Sequence, residues 1–213
     1  MSAIIRVMLV DDHEVVRSGL RRLLEQSDGI DVIIEADSGE QAYQLYGEHL
    51  PDVVVMDMSM PGMGGLEALR RIVARYSQAR VVIFSMHENA AFASQALSSG
   101  ARAYVAKSGA ADDLVQAVRE VSVGKGYLSS GIAQKIALQS LSGDDDPTRL
   151  LSAREFEVFR LLAEGHGIEE IATILKISQK TVANYQTLLK QKLGISSPIE
   201  LVRLAIRHGL IEG

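Results

Sequence analysis

The chain has 213 residues, no cysteine and a formal net charge of −5. The absence of cysteine excludes disulfides and thiolate metal sites. Hydrophobic residues make up 47% and charged residues 23%, which is a globular composition with room for two small domains. Acids arrive at Asp11 and Asp12 and no apolar run reaches membrane-spanning length. We therefore expect a soluble, cytoplasmic protein with no membrane partner.

The charge is unevenly distributed. Residues 1–147 contain 13 basic and 20 acidic residues, a net charge of −7, whereas residues 148–213 contain 9 and 7, a net charge of +2. An acidic first part and a mildly basic second part favour two modules, the second of which meets a polyanion.

Five apolar runs rich in Val and Ile alternate with helical spacing in the first part of the chain. The runs are residues 4–10, 32–36, 53–56, 81–84 and 103–106. They are continuous rather than alternating, as in strands that are buried on both faces. The pattern predicts an α/β doubly wound fold with a five-stranded parallel sheet.

After Gly124 the pattern changes to helices alone. A helix is predicted from about residue 130 to 141, followed by a polar, acidic linker at 142–149. We therefore divide the chain into a first domain at 1–124, a linker with a helix at 125–149, and a small all-α domain at 150–213.

Polar side chains stand at the ends of four predicted strands. Asp11 and Asp12 follow the first strand, Asp57 the third, Ser85 ends the fourth and Lys107 follows the fifth. These ends share one edge of a parallel sheet, so the side chains can converge. Clustered carboxylates suit Mg²⁺, and a carboxylate beside Mg²⁺ is a competent nucleophile toward a phosphoryl group. Lys107 would balance the phosphate charge and Ser85 would hydrogen-bond a phosphoryl oxygen.

Two other interpretations of these residues are simpler. A single acid at a strand end is commonly just solvated, and Asp11 and Asp12 are also suited to cap a helix that begins near His13. A dinucleotide-binding sheet is disfavoured, because the turn "VDDHE" replaces the glycines that cradle pyrophosphate. The histidines at positions 13, 49, 87, 166 and 208 lack ligand spacing, which favours surface or core roles.

The strings "MLVDDHEVVRSGLRRLL", "VVVMDMSMPGMGGLEAL", "VVIFS" and "AYVAKS" resemble the receiver domain of two-component response regulators, over residues 4–123. The resemblance implies a flavodoxin-like fold in which Asp57 is the phosphoacceptor. It also implies that Ser85 and Tyr104 form a switch pair and that Lys107 contacts the phosphate. The implied Mg²⁺ ligands are Asp11, Asp12, Asp57 and the carbonyl of Ser59.

The second part of the chain has clear helix start signals. Ser152 and Glu155 stand at capping-box spacing, and Ser178 and Ser197 precede two further helices. A short helix at 168–175 and a longer one at 179–193, joined by a tight turn, predict a helix-turn-helix.

The helix at 179–193 has a polar outer face with few acids. Asn184 suits bidentate binding of adenine in the major groove, and lysines suit phosphates. The residues predicted to contact DNA are Lys180, Thr181, Asn184, Tyr185, Thr187 and Lys190. Lys176 and Lys192 are further phosphate candidates. Spacing alone does not separate this interpretation from a plain helical bundle.

The string "LSAREFEVFRLLAEGHGIEEIATILKISQKTVANYQTLLKQKLG" resembles the LuxR-type DNA-binding domain, and with the receiver it resembles the NarL/FixJ class of response regulators. Within that class, "KTVANY" and "RHGL" are similar to the GacA/UvrY subgroup. The resemblance implies that the resting receiver packs on the second domain and blocks helix 179–193. It also implies a dimer surface on the last helix, with Ile199, Val202 and Ile206 as candidates.

The sequence therefore predicts a transcription regulator rather than an enzyme. A sensor histidine kinase would phosphorylate Asp57 with Mg²⁺ bound, and the protein would act on double-stranded promoter DNA as a homodimer, with RNA polymerase as a further partner. Two rivals stay open: a phosphohydrolase that turns over external substrates, and a DNA-binding module that has become independent of phosphorylation.

Overall fold

The computed structural model describes residues 4–141 and 146–211. Strands and helices alternate in the first part of the chain. Its elements are β1 (Ile5–Val10), α1 (Glu14–Glu25), β2 (Ile30–Ala36), α2 (Gly39–His49), β3 (Val53–Met56), α3 (Gly65–Arg75), β4 (Val81–Ser85), α4 (Ala90–Ser98), β5 (Ala103–Ala106), α5 (Ala111–Ser122), β6 (Tyr127–Leu128) and α6 (Ser130–Leu141). The second part is helical, with a 3-10 helix (Pro147–Leu150), α7 (Ala153–Ala163), α8 (Ile168–Ile174), α9 (Gln179–Leu193) and α10 (Pro198–Arg207).

The strands form one parallel sheet in the order β2-β1-β3-β4-β5-β6, which confirms the doubly wound α/β fold. The sheet contains a sixth strand in addition to the five predicted. This strand has two residues and pairs Tyr127 with Ala103 and Leu128 with Tyr104. A segment this short carries no periodicity, so sequence patterning does not detect it.

Successive strand residues point to opposite faces of the sheet. Val7 and Leu9 of β1 belong to a core formed with α1 and α5, whereas Met8 and Val10 belong to a second core formed with α2, α3 and α4. Burial on both faces explains why the strand sequences are continuously apolar.

The second core extends into the helical part of the chain. Phe92 on α4 packs edge-on against Phe156 on α7, with ring centroids 5.2 Å apart. The same apolar cluster continues through Val158 to Val182 and Leu189 on α9. The two parts of the chain therefore share a hydrophobic core and are not joined by a tether alone.

The segment after residue 145 is built into this interface. Asp146 is buried and accepts hydrogen bonds from the backbone N–H and the hydroxyl of Thr148. The buried amide of Gln95 on α4 donates to the carbonyls of Thr148 (3.2 Å) and Leu151 (2.7 Å). The end of the predicted linker is thus ordered against α4, and residues 142–145 lie outside the described residues.

The helices of the second part begin where their capping residues predict. Ser152 and Glu155 form a reciprocal capping box, Ser178 accepts from the N–H of Thr181, and Ser197 accepts from that of Glu200. Among the described residues, the helices are too short or too polar to cross a bilayer.

Candidate functional site

The carboxyl edge of the sheet brings together the predicted acidic residues and the lysine. Asp57 follows β3 and Asp11 follows β1, and both are buried. The ammonium of Lys107, which follows β5, lies 2.7 Å from Asp11 Oδ2 and 3.2 Å from Asp57 Oδ1. Backbone bonds hold this geometry, because the N–H of Asp57 donates to the carbonyl of Val10 at 2.8 Å.

The three charged side chains shift one another's pKa values. Burial raises the pKa of Asp57, and the carboxylate of Asp11 raises it further, while the Lys107 ammonium opposes both. Burial acts against the charge on Lys107, but its hydrogen bond to Asp11 and the two carboxylates outweigh burial and raise the pKa of Lys107. The lysine therefore stays charged and compensates part of the negative charge at this edge.

Asp12 adds a further carboxylate beside Asp11. Ligand atoms of Asp11, Asp12 and His13 all lie within 4.8 Å of one another. Oδ1 of Asp12 is buried, and no donor among the described residues completes a hydrogen bond to it, although Nδ1 of His13 lies 3.1 Å away. Buried carboxylate oxygens with spare acceptor capacity fit a hard divalent cation, so this cluster can bind a metal. α1 begins at Glu14, and the side chain of its N-cap residue, His13, makes no capping hydrogen bond. Oδ1 of Asp11 accepts from the backbone N–H of His13 at 2.8 Å, so Asp11 also stabilises the start of α1, as the alternative interpretation predicts.

Close approach of α3 to Asp57, the predicted acceptor, explains a glycine in the motif. A Cβ at position 65 would overlap the carbonyl of Asp57. Only glycine therefore leaves room for α3 to begin at this position. Residues 58–64, which join Asp57 to α3 and are called the acceptor loop below, are thereby folded back over the end of β3.

The predicted switch pair lies around the backbone of His87. Ser85 is buried and its hydroxyl accepts from the N–H of His87 at 3.2 Å. Tyr104 is also buried and its hydroxyl donates to the carbonyl of His87 at 2.7 Å. Burial raises the pKa of Tyr104, so it remains a neutral donor. Ser85 and Tyr104 therefore hold the same stretch of the β4–α4 loop.

His87 itself joins several parts of the interface. Its Nε2 lies 3.1 Å from the hydroxyl of Ser59 in the acceptor loop. The ring stacks on Phe92 with centroids 3.8 Å apart. Burial, together with the nearby Arg160, lowers the pKa of His87 to about 4, so the ring is neutral at pH 7. The structure brings the side chain of Ser59 to His87, and the metal-binding role of the Ser59 carbonyl stays a prediction.

The acceptor loop also contacts the turn of the helix-turn-helix directly. The N–H of Gly62 donates to the carbonyl of Ile174 at 2.8 Å. The guanidinium of Arg154 on α7 donates to the carbonyls of Gly62 (3.0 Å) and Leu175 (2.8 Å). Asp57 is thus five residues from a backbone contact between the two parts of the chain.

The outer face of α9 stays open despite this packing. Lys180, Asn184, Thr187 and Lys190 are exposed, while Thr181 and Tyr185 are partly exposed. The expected blocking of this helix by the receiver is therefore not seen for these four side chains. Lys192 is engaged elsewhere, since its ammonium lies 2.7 Å from Glu155 Oε2.

The predicted dimer surface on α10 is apolar and accessible. Ile199 is 65% exposed and Ile206 is 41% exposed, and Val202 is partly exposed between them. Leu201 and Ala205 on the opposite side of the helix are buried in the domain core.

Sequence reasoning missed the residues that join the two parts of the chain. His87, Gln95, Arg154 and Glu157 carry no motif that marks them as interface residues. The position of His87, two residues after Ser85 in a strand-end loop, was the one available signal. Contacts between segments so distant in sequence leave no local pattern.

Comparison with known proteins agrees with both halves of this picture. Residues 7–119 match the response regulator receiver domain, and residues 149–205 match the bacterial regulatory proteins of the luxR family. The chain is 39% identical to the response regulator GacA of Pseudomonas aeruginosa, over 98% of each chain. It is 40% identical to the response regulator UvrY of Escherichia coli K12, over 97% of this chain and 95% of that one.

The fold has a solved counterpart that includes DNA. The structure of RcsB from Salmonella enterica serovar Typhimurium, bound to a promoter in the presence of the phosphomimetic BeF3−, is similar with a TM-score of 0.70 and 29% identity. The similarity covers 94% of this chain and 97% of that one.

Proposed function

Since this chain belongs to the NarL/FixJ-class response regulators, DNA-binding transcription regulators that join a receiver to a LuxR-type domain, we propose that phosphorylation of Asp57 switches its binding to promoter DNA. The observation that carries this proposal is the contact of one ammonium, Lys107, with two buried carboxylates, Asp57 and Asp11, at the sheet edge.

The chemistry assigned to these residues is phosphoryl transfer from a histidine kinase. An oxygen of Asp57 attacks the phosphorus of the kinase phosphohistidine, the P–N bond breaks, and its electron pair returns to the imidazole nitrogen. Lys107 moves its contacts toward the incoming phosphoryl oxygens and compensates their charge. Ser85 donates its O–H to a phosphoryl oxygen, and a lone pair of the same oxygen still accepts from the N–H of His87.

Asp11, Asp12, Asp57 and the carbonyl of Ser59 are the residues that would hold Mg²⁺. The buried Oδ1 of Asp12, which lacks a hydrogen-bond donor among the described residues, supports this donor set. Bound Mg²⁺ supplies charge neutralisation between the carboxylates and the phosphoryl oxygens.

The second domain would read DNA through α9. Asn184 is assigned to base recognition, Thr181, Tyr185 and Thr187 to further groove or backbone contacts, and Lys180 and Lys190 to phosphates. The exposed apolar side chains of α10 would pair two copies on DNA. The protein would act in the cytoplasm with a sensor histidine kinase, promoter DNA and RNA polymerase as partners, and without catalysis on external substrates.

The direct test measures intact mass after incubation with acetyl phosphate and Mg²⁺. The wild type should gain one phosphoryl group and Asp57→Asn should gain none, because the nucleophilic oxygen is lost. Asp31→Asn, on an exposed position of β2, is the matched control and should behave as the wild type. Promoter binding is then compared with and without acetyl phosphate. Equal gain by wild type and Asp57→Asn would overturn the assignment of the acceptor.

A further inference from the structure

The turn from β1 to α1 carries two of the proposed Mg²⁺ ligands, Asp11 and Asp12, side by side. Asp11 is fixed at both ends. Its N–H donates to the carbonyl of Ala36 on β2 at 3.2 Å, and its carboxylate accepts from Lys107 and from the N–H of His13. Oδ1 of Asp12, in contrast, is buried without a hydrogen-bond donor among the described residues. The placement of Asp12 therefore depends on the peptide that joins it to Asp11.

Arg17 on α1 holds this peptide. Its Nη1 donates to the carbonyl of Asp11 at 2.7 Å, and its side chain is only 15% exposed. Side chains on a helix point back toward the helix N-terminus, which brings the guanidinium of Arg17 to a residue six positions earlier. Because the peptide unit is planar, fixing the carbonyl of Asp11 also fixes the orientation of the N–H and Cα of Asp12.

Glu35 on β2 anchors Arg17 from the other side. Its Oε2 accepts from Nε of Arg17 at 3.3 Å, and its Oε1 accepts from Nε of Arg21. Burial acts against the charge on Glu35, but the hydrogen bonds from Arg21 and Arg17 outweigh burial and lower its pKa. Arg17 therefore bridges an ionised carboxylate on β2 and the turn that carries the two acids.

The charge of Arg17 does not explain why an arginine stands here. A cation near the N-terminus of a helix opposes the helix dipole, and a cation near carboxylates that bind Mg²⁺ repels the metal. If Arg17 acted through its charge alone, its removal would tighten Mg²⁺ binding. If it acts by holding the turn, its removal weakens Mg²⁺ binding, so the two roles differ in sign.

We propose that Arg17 is a positioning residue, which orients the peptide between Asp11 and Asp12 so that Asp12 presents its buried carboxylate oxygen to Mg²⁺. The inference rests on the proposed function for the metal itself. Arg17 makes its hydrogen bonds to Asp11 and Glu35 and none to Asp57. Its role therefore concerns Mg²⁺ affinity and not the attack on phosphorus.

Three variants separate these roles. Arg17→Met keeps the apolar stem and removes both hydrogen bonds. Arg17→Lys keeps the charge, but an ammonium lacks the planar fork that reaches the carbonyl and Glu35 together. Arg21→Met is the matched control, because Arg21 binds Glu35 on the same helix face and makes no bond to Asp11. Far-UV circular dichroism and thermal unfolding check that each variant folds.

The first readout is isothermal titration calorimetry of the unphosphorylated protein with MgCl₂. Arg17→Met should bind Mg²⁺ about tenfold more weakly than the wild type, as is usual when a residue that orients a metal ligand is lost. Arg17→Lys should lie between them, and Arg21→Met should bind no more weakly than the wild type. Unchanged or tighter binding by Arg17→Met would overturn the inference. If Arg17→Met does not fold, wild-type affinity in Arg17→Lys overturns it instead.

The second readout is the rate of phosphorylation by acetyl phosphate as a function of Mg²⁺ concentration. Arg17→Met should need more Mg²⁺ for half-maximal rate and should reach a maximal rate near that of the wild type, because Asp57 and Lys107 are unchanged. A lower maximal rate at an unchanged Mg²⁺ requirement would contradict the positioning role.

Calorimetry uses no phosphate, which keeps this inference separate from the assignment of the acceptor. A wild type that binds Mg²⁺ but gains no phosphoryl group counts against Asp57 alone, and the affinities of the variants still decide the role of Arg17. A wild type that binds no Mg²⁺ would overturn the proposed donor set and this inference together.

Discussion

Lys107 Nζ lies 3.2 Å from Oδ1 of Asp57 and compensates its charge together with that of Asp11. All three side chains are mostly buried, and a single cation is shared by two carboxylates. Loss of the lysine or of either carboxylate should therefore change the charge balance, and with it the stability, of this edge of the sheet.

Replacing Lys107 by glutamine should destabilise the protein by about 3 kcal/mol, because it leaves two buried carboxylates without their cation. Urea unfolding at neutral pH measures this loss. Mg²⁺ should recover part of it by binding the same carboxylates. Lys125→Gln, whose side chain pairs with Glu120 at the surface, is the control and should have little effect. A Lys107→Gln variant as stable as this control would contradict the view that the cation is needed.

Gln95→Leu should loosen the junction between α4 and the 3-10 helix. The substitution keeps the volume but removes the side-chain donor to the carbonyl of Leu151, at a cost of about 1 to 3 kcal/mol, whereas the carbonyl of Thr148 keeps its bond from the N–H of Leu151. Proteolysis of the native protein near residue 149 should become faster. Gln44→Leu removes a surface hydrogen bond to Glu48 and should leave the cleavage rate unchanged.

Asn184→Ala should weaken binding to the cognate site by about 1 to 3 kcal/mol and relax preference at one base pair. Lys190→Ala should instead weaken binding to all sequences and lower the slope of log K against log salt by about one. Titrations between about 50 and 200 mM salt on specific and scrambled duplexes separate the two effects. The same loss on both duplexes for Asn184→Ala would show that it only contacts the backbone.

Ile206→Glu should reduce cooperative binding to a two-half-site operator by at least about tenfold, or 1.4 kcal/mol, since it places a charge on the exposed apolar side of α10. Binding to a single half-site should change little. Sedimentation of the protein–DNA complex gives the number of copies bound. Val123→Glu, at an exposed apolar residue that follows α5 and lies outside α9 and α10, tests whether any added acid has the same effect.

The packing of the first domain against α7, called docking here, should depend on pH through Glu157. Burial raises the pKa of Glu157 above its ordinary value of 4.5, and Glu67 on α3 adds to this, while Arg154 and Arg160 oppose it. A carboxyl whose pKa is higher when docked takes up a proton on docking. The docked fraction should therefore fall as pH rises from 4.5 through the raised pKa. Distances between spin labels on the two domains, measured over a series of pH values upward from 4.5, follow this fall.

Glu157→Gln provides the check on that titration. The amide keeps the shape of the side chain and cannot ionise, so docking through this position should no longer vary with pH. A wild-type and a Glu157→Gln curve of the same slope would assign the dependence to another group.

The sequence was sufficient for the fold and for the contents of the acidic edge. Continuous apolar runs locate the strands, and parallel strands bring Asp11, Asp57 and Lys107 to one edge, as the structure has them. Capping residues locate the starts of α7, α9 and α10 to within a residue. These features depend on local periodicity and on topology, both of which a single sequence carries.

The contact between the domains could not be predicted in the same way. Its strongest members are backbone groups, as in the bond from Gly62 to Ile174, and a backbone group has no identity in a sequence. From the sequence alone, Glu157 would be interpreted as an acid on a helix surface. The structure shows that it is buried against Gly64. The open outer face of α9 likewise depends on how the two domains pack together. The family resemblance had instead predicted that the receiver blocks this face.

The fit between Gly64 and Glu157 limits how freely such proteins can exchange parts. A chimera that joins this receiver to a foreign helix-turn-helix should keep the packing seen here only if its first helix presents a side chain that fits against Gly64. In this chain the two positions lie 93 residues apart, so a graft that joins segments between them separates the pair. The two domains of this chain are therefore not freely interchangeable with those of other proteins, even though each matches a family of its own.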